Sequence, residues 1–217
     1  MALHAVCQAF LNPGDEAILV SPFYDAYPSD VELAGAKPVY VTLSVSKEHS
    51  SQWKLDREKL EAAVSEKTRL LFINTPSNIP GKVFSREELQ VICDVAKKHD
   101  LLVVSDEVYE FLTYDGVQHV RIASMPGMFE RTITIGSAGK TFSATGLKIG
   151  WVVAPKQFVH ALNHIIVLNP FSVTTPTSEL TALAFQKAQE TDYFTKFKQT
   201  LQKFVSLAFF YFFFLGV

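Results

Sequence analysis

The chain has 217 residues, 48% of them hydrophobic, with 20 basic side chains against 22 acidic ones and a formal charge of -2. That composition excludes a disordered chain, and without a run of five or more Lys/Arg it offers nucleic acid no electrostatic footprint. Cys7 and Cys93 each lie beside apolar residues and are expected as small core residues rather than a disulfide framework or a zinc cage. The opening MALHAVCQAF lacks the basic start, apolar core and cleavage site of a secretory signal, so a reducing, cytoplasmic compartment is expected.

In chain order, Leu3, Val6, Cys7 and Phe10 recur at helical spacing and predict a helix over 2–11, stopped by Asn12-Pro13-Gly14-Asp15. Apolar, β-rich runs follow at 17–20, 38–43, 69–73, 101–105, 132–135 and 149–154. Residues 44–52 read as a polar linker, and helices are predicted over 56–66, 85–99 and 177–203. The helix over 85–99 carries the fullest signal: Ser85 and Glu88 form a capping box, Leu89, Ile92, Val95 and Ala96 make the stripe, and Lys97 and Lys98 suit the C-terminal dipole. His160 and His164 stand i,i+4 on another helix, but no third metal ligand is evident. Continuous apolar strands alternating with amphipathic helices predict an α/β domain over 1–203, a mainly parallel sheet with helices on both faces. The segment 204–217, FVSLAFFYFFFLGV, holds six of the 18 phenylalanines and no charge, and reads as a separate tail. It falls short of the roughly 20 residues of a membrane span and shows no polar face. It is read as a buried element, a marginal membrane contact, or sequence foreign to the fold.

Ligands of such sheets bind beyond the carboxyl ends of the strands. There the chain places Asn74-Thr75-Pro76-Ser77-Asn78, Asp106-Glu107-Val108-Tyr109 and Gly136-Ser137-Ala138-Gly139-Lys140-Thr141. A nucleotide fits poorly, because a phosphate-cradling loop ending in Gly139-Lys140-Thr141 needs glycine where Thr134 stands. Pyridoxal phosphate fits better: it asks for a lysine to form a Schiff base and an acid to keep the ring nitrogen protonated, and Lys140 and Asp106 supply the pair.

These residues resemble the fold-type I, class I/II aminotransferases that depend on pyridoxal 5'-phosphate, most closely the kynurenine–oxoglutarate transaminases, also called cysteine-S-conjugate β-lyases. The resemblance runs from Ala2 to about Lys203. The segment from Ile135 to Trp151, IGSAGKTFSATGLKIGW, is similar to the family's cofactor-lysine segment and puts Lys140 on the Schiff-base lysine. The same match implies that Ser137 and Lys148 contact the cofactor phosphate. It implies Asp106 as the pyridine-nitrogen acid, Tyr109 and Asn78 as donors to the ring's phenolic oxygen, and Tyr24 as the stacking aromatic. Five of these have a plainer reading: core aromatic for Tyr24, helix cap for Ser137, surface charge for Lys148, loop lysine and strand-end cap for Lys140 and Asp106. The implied reaction moves an amino group from an aromatic or sulfur-containing amino acid, kynurenine-like, to a 2-oxo acid, with β-lyase action as a side activity. A homodimer is implied; nucleic-acid and membrane partners are not.

The sequence departs from the family pattern at Asn78-Ile79-Pro80-Gly81, where proline is displaced by one place, and at Leu147, where relatives have tryptophan. A glycine-rich phosphate loop ahead of the first helix, and a substrate-carboxylate arginine beyond Lys203, are expected of the family and are not found here; the last arginine is Arg131. The chain is therefore expected to be most of a large cofactor-binding domain, truncated at both ends. A catalytically silent remnant that at most binds the cofactor is the alternative.

Overall fold

A computed structural model describes residues 1–45 and 52–214, with backbone alone for 206–214. The predicted strands form one six-stranded sheet in the order β2-β1-β5-β6-β7-β8. Its members are β1 (Glu16–Ser21), β2 (Lys37–Thr42), β5 (Thr68–Asn74), β6 (Leu102–Asp106), β7 (Thr132–Ser137) and β8 (Gly150–Val153). The first five run parallel, and β8 returns antiparallel to β7. A parallel sheet needs crossovers, and they are α2 (Ala26–Leu33), α3 (Arg57–Ala62) and α4 (Arg86–Lys98), with an irregular segment between β6 and β7.

Both faces of the sheet are buried, which is why its strands read as continuous apolar runs rather than alternating ones. Strand geometry divides them between two cores. Leu71 and Ile73 of β5 join Ile18 and Val103 against Leu60 of α3 and Leu89, Ile92 and Val95 of α4. Their neighbours Leu70 and Phe72 point the other way, with Leu19, Val104 and Ile133, against Val6 and Cys7 of α1 (Ala2–Phe10), Tyr27 and Val31 of α2, and Leu162 of α6 (Lys156–Leu168). Each such buried aliphatic side chain contributes roughly 1.5–3 kcal/mol. Both cysteines are free and buried in these cores.

The capping box forms as read, with Ser85 Oγ accepting from Glu88 N at 3.2 Å and Ser85 N donating to Glu88 Oε2 at 3.0 Å. Three elements differ from expectation. The predicted helix over 56–66 stops at Ala62, because the chain must turn through Ser65 to enter β5. The single helix over 177–203 is two, α7 (Thr175–Thr191) and α8 (Tyr193–Phe214), parted by Asp192 in the left-handed region at φ 52°, a conformation aspartate tolerates better than most residues. The flanks of the polar stretch pair as a ribbon, β3 (Ser44–Val45) with β4 (Trp53–Lys54), while 46–51 lie outside the described residues.

The aromatic segment begins as part of α8, which runs unbroken across 203 and 204, and Phe204 and Val205 are exposed there. Among the described residues no helix is long and apolar enough to cross a membrane.

Candidate active site

Four adjacent parallel strands, β1, β5, β6 and β7, end on one edge of the sheet, and each hands the chain to a loop carrying one of the expected side chains. At about 4.8 Å between strands, the four ends span roughly 14 Å, the width of a small heteroaromatic molecule with its substituents. Tyr24 follows β1, Asn78 follows β5, Asp106 closes β6 with Tyr109 just beyond, and Ser137 closes β7 ahead of Lys140 on the single turn α5 (Ala138–Thr141). Lys148 arrives by another route: β8 pairs Gly150 with Ser137, and Ala138 N donates to Ile149 O at 3.0 Å, which draws Lys148 back beside the end of β7. Lys148 itself is exposed and held left-handed at φ 53°.

Asp106 is 6% exposed. Its Oδ2 accepts from the Tyr27 hydroxyl at 2.7 Å and its Oδ1 from Val108 N at 3.2 Å. Among the described residues it has no ion pair, the nearby ion pairs belonging to Glu107 and Glu110. Burial pushes its carboxyl above the ordinary range, against the opposing pull of the Tyr27 and Val108 donors and the more distant Lys140. A buried carboxylate with no ion pair among the described residues, and with only Tyr27 and Val108 N as donors there, has the chemistry to match a protonated ring nitrogen. The residues present thus fit pyridoxal phosphate.

Lys140 is exposed, with its Nζ 5.5 Å from the centre of the Tyr109 ring. Ser137 stands at the N-cap of α5, yet its hydroxyl makes no capping bond, which removes the plain reading of that serine as a helix cap. Two glycines keep the lysine turn tight. A Cβ at Gly136 would lie 2.2 Å from the Trp151 indole, and one at Gly139 would lie 3.1 Å from Thr145 Cα. Tyr24 is 42% exposed and packs edge-on against Tyr27, with ring centres 5.8 Å apart at 81°.

Two positioning residues escaped the sequence reading. Nothing in the sequence singles out Tyr27, whose link to Asp106 spans 79 residues of chain. The sequence reading places Asn74 first in the loop beyond the strand at 69–73, and it closes β5 instead. Its Oδ1 accepts from Asn78 N at 2.6 Å, and its Nδ2 donates to Asp106 O at 3.0 Å and Pro76 O at 3.2 Å. The Asn78 main chain is therefore fixed by Asn74, and the displaced Pro80 sits beyond that anchor on an exposed tip.

On the opposite side of β6, Glu107 accepts from Ser105 Oγ at 2.8 Å and contacts His119 Nε2 at 2.8 Å, while Arg121 pairs with Glu110. Glu107, Glu110 and His119 have the make-up of a metal site, and Arg121 pairs with both carboxylates. A cleft of about 890 Å³ opens beside the candidate residues; Asn78 and Tyr109 line it together with Trp53, Lys82 and Tyr114, whereas Lys140 and Asp106 do not. It is adjacent to the proposed chemistry rather than its centre.

The family model for aminotransferase class I and II matches residues 1–207. The chain belongs to the class I and II aminotransferases. Among the curated relatives of this aminotransferase chain, kynurenine–oxoglutarate transaminase of Dictyostelium discoideum is 47% identical over 205 residues, covering 89% of this chain and 47% of the relative. Human kynurenine–oxoglutarate transaminase 1 is 41% identical over 213 residues, covering 93% of this chain and 50% of the relative. Among solved structures, N-succinyldiaminopimelate aminotransferase of Mycobacterium tuberculosis superposes with a TM-score of 0.88 at 36% identity, over 93% of this chain and 51% of that one. The aromatic aminotransferase of Pyrococcus horikoshii does so with a TM-score of 0.83 at 36% identity, over 93% and 52%. The aminotransferase chain therefore spans about half the length of the relatives it matches.

Proposed function

We propose that this chain is the cofactor-binding part of a pyridoxal-phosphate aminotransferase whose amino donor is kynurenine-like, an aromatic or sulfur-containing amino acid, and whose acceptor is a 2-oxo acid. The observation that carries the reading is Asp106, a buried carboxylate with no ion pair among the described residues, one strand away from the exposed Lys140. When bound, the cofactor supplies an electron sink for the bonds at the substrate's Cα. Asp106 would hold a proton on the ring nitrogen, since a neighbouring carboxylate stabilises the charged form. Lys140 would hold the cofactor covalently and, once displaced by the amino acid, carry the proton at Cα. Tyr109 and Asn78 would donate to the phenolic oxygen. Ser137 and Lys148 would hold the phosphate with a hydroxyl and a cation, a reading supported by the β7–β8 rung that sets Ser137 opposite Gly150, two residues past Lys148. Tyr24 would cover the ring face. The domain would occupy 1–203, and a homodimer is part of the proposal.

A second reading is favoured by the arginines. Four of the five are committed to carboxylates elsewhere: Arg57 to Glu61 and Asp94, Arg69 to Asp15, Arg121 to Glu110 and Arg131 to Asp100. With none of these four free to clamp a substrate carboxylate, binding of the cofactor without turnover is the second proposal. Titrating the purified chain with pyridoxal phosphate separates the two. A visible absorption band lost in Lys140→Ala supports the cofactor site, and amino-group transfer from kynurenine to a 2-oxo acid supports the enzyme. A band unchanged in Lys140→Ala refutes both.

A further inference from the structure

We propose that Tyr27 is the positioning residue for Asp106: from α2 its hydroxyl fixes one carboxylate oxygen in the ionised state and so sets how tightly this chain holds a protonated heteroaromatic ring. The inference rests on the cofactor reading above and deepens it. Tyr27 is 2% exposed, and its ring is wedged between Tyr24, edge-on at 5.8 Å, and Phe72, tilted at 5.6 Å. With its ring so confined, the hydroxyl has one orientation, 2.7 Å from Asp106 Oδ2. Burial and the adjacent Asp106 hold the phenol far above its ordinary range, so it stays a donor at every working pH.

A carboxylate has about four acceptor directions, and Tyr27 and Val108 N occupy two. Those that remain are the ones a ring N–H can use. A donor to a buried carboxylate favours its charged form, which is the form that attracts a pyridinium. The other charged or titratable groups influencing Asp106 are Glu107, which opposes ionisation, and Lys140, which favours it; Tyr24 and Tyr109 surround Tyr27 from the same edge. Tyr27 also links two roles, because the ring that steers Asp106 supports the edge of Tyr24, the proposed stacking residue.

The test is a double-mutant cycle of Tyr27→Phe and Asp106→Asn in the 217-residue chain, read in two ways. The first is the affinity for pyridoxal phosphate from the visible band. Tyr27→Phe is expected to weaken it roughly 10- to 100-fold, the worth of a hydrogen bond to a charged group, and to change little once Asp106 is asparagine. The second needs no cofactor: urea midpoints across pH. Tyr27→Phe should extend to higher pH the range over which stability falls as Asp106 ionises, and should leave no such change in the Asp106→Asn background. Equal effects of Tyr27→Phe in both backgrounds would make the tyrosine mere packing and overturn the proposal, as would a pH profile it leaves unmoved. Absence of a Lys140-dependent band, with the pH coupling intact, would refute the cofactor reading while preserving the Tyr27–Asp106 linkage.

Discussion

Gly136→Ala tests how tightly the end of β7 is built. Its Cβ would meet two Trp151 indole atoms at 2.2 Å and a third at 2.5 Å. Carbon atoms rest about 3.5–4.0 Å apart, so the indole must retreat by roughly 1.3 Å or more. It has little room, because Gly136 and Trp151 are direct partners in the β7–β8 ladder and the indole packs edge-on to Phe185 at 5.4 Å. The cost should fall in the upper half of the usual 1–3 kcal/mol for overpacking, lowering the thermal midpoint by roughly 5–10 °C for a chain of this size. Urea denaturation of Gly136→Ala, Trp151→Ala and the double variant is the assay. Removing the indole leaves a cavity that the new methyl partly fills, so the double variant should lose less than the sum of the singles. Strict additivity, or a loss for Gly136→Ala below about 0.5 kcal/mol, would refute the argument that the indole replaces a side chain at this rung.

Asp106→Asn should alter stability with a defined sign. Burial holds the Asp106 carboxyl above its ordinary range, so from about pH 4 up to that raised value the folded chain keeps a proton the unfolded chain has released. Stability falls across that window by at most about 1.4 kcal/mol per pH unit, and Asp106→Asn should flatten the fall in cofactor-free urea titrations. Asn74→Ala should cost about 1 kcal/mol by removing the acceptor of Asn78 N, while the Asp106 carbonyl keeps its bond from Thr75 N, and limited proteolysis should then cut between 75 and 82 sooner. Burial pushes the Cys7 thiol up to about 12 and the Cys93 thiol up to about 11, so both should resist thiol reagents at pH 8 until the chain unfolds.

The sheet was legible because burial on both faces leaves uninterrupted apolar runs, and the helix over 85–99 because its capping box and charge placement agree with its stripe. The helix α2 was not: only Tyr27 and Val31 are buried on it, and Pro28 sits in its first turn. Its contribution to the site was hidden with it. The family resemblance singled out Tyr24, which is 42% exposed, whereas the hydroxyl that meets Asp106 belongs to the buried Tyr27. Asn74 was hidden for a related reason: a short amide at a strand end satisfies local main-chain groups in most proteins, and only the loop's path shows that it serves Asn78 and Asp106 together. The break at Asp192 depends on one residue's tolerance for a left-handed turn, which leaves little trace in apolar spacing.

The antiparallel return of β8 fastens both feet of the lysine-bearing turn to one rung pair, Ser137 opposite Gly150. Because side chains alternate along a strand, β8 can slide only in steps of two residues without turning Trp151 to the wrong face, and one such step would shift Lys148 about 7 Å along β7. The proposed phosphate grip and the proposed Schiff-base lysine are thus geared to a single ratchet tooth, set by the indole's seat on Gly136.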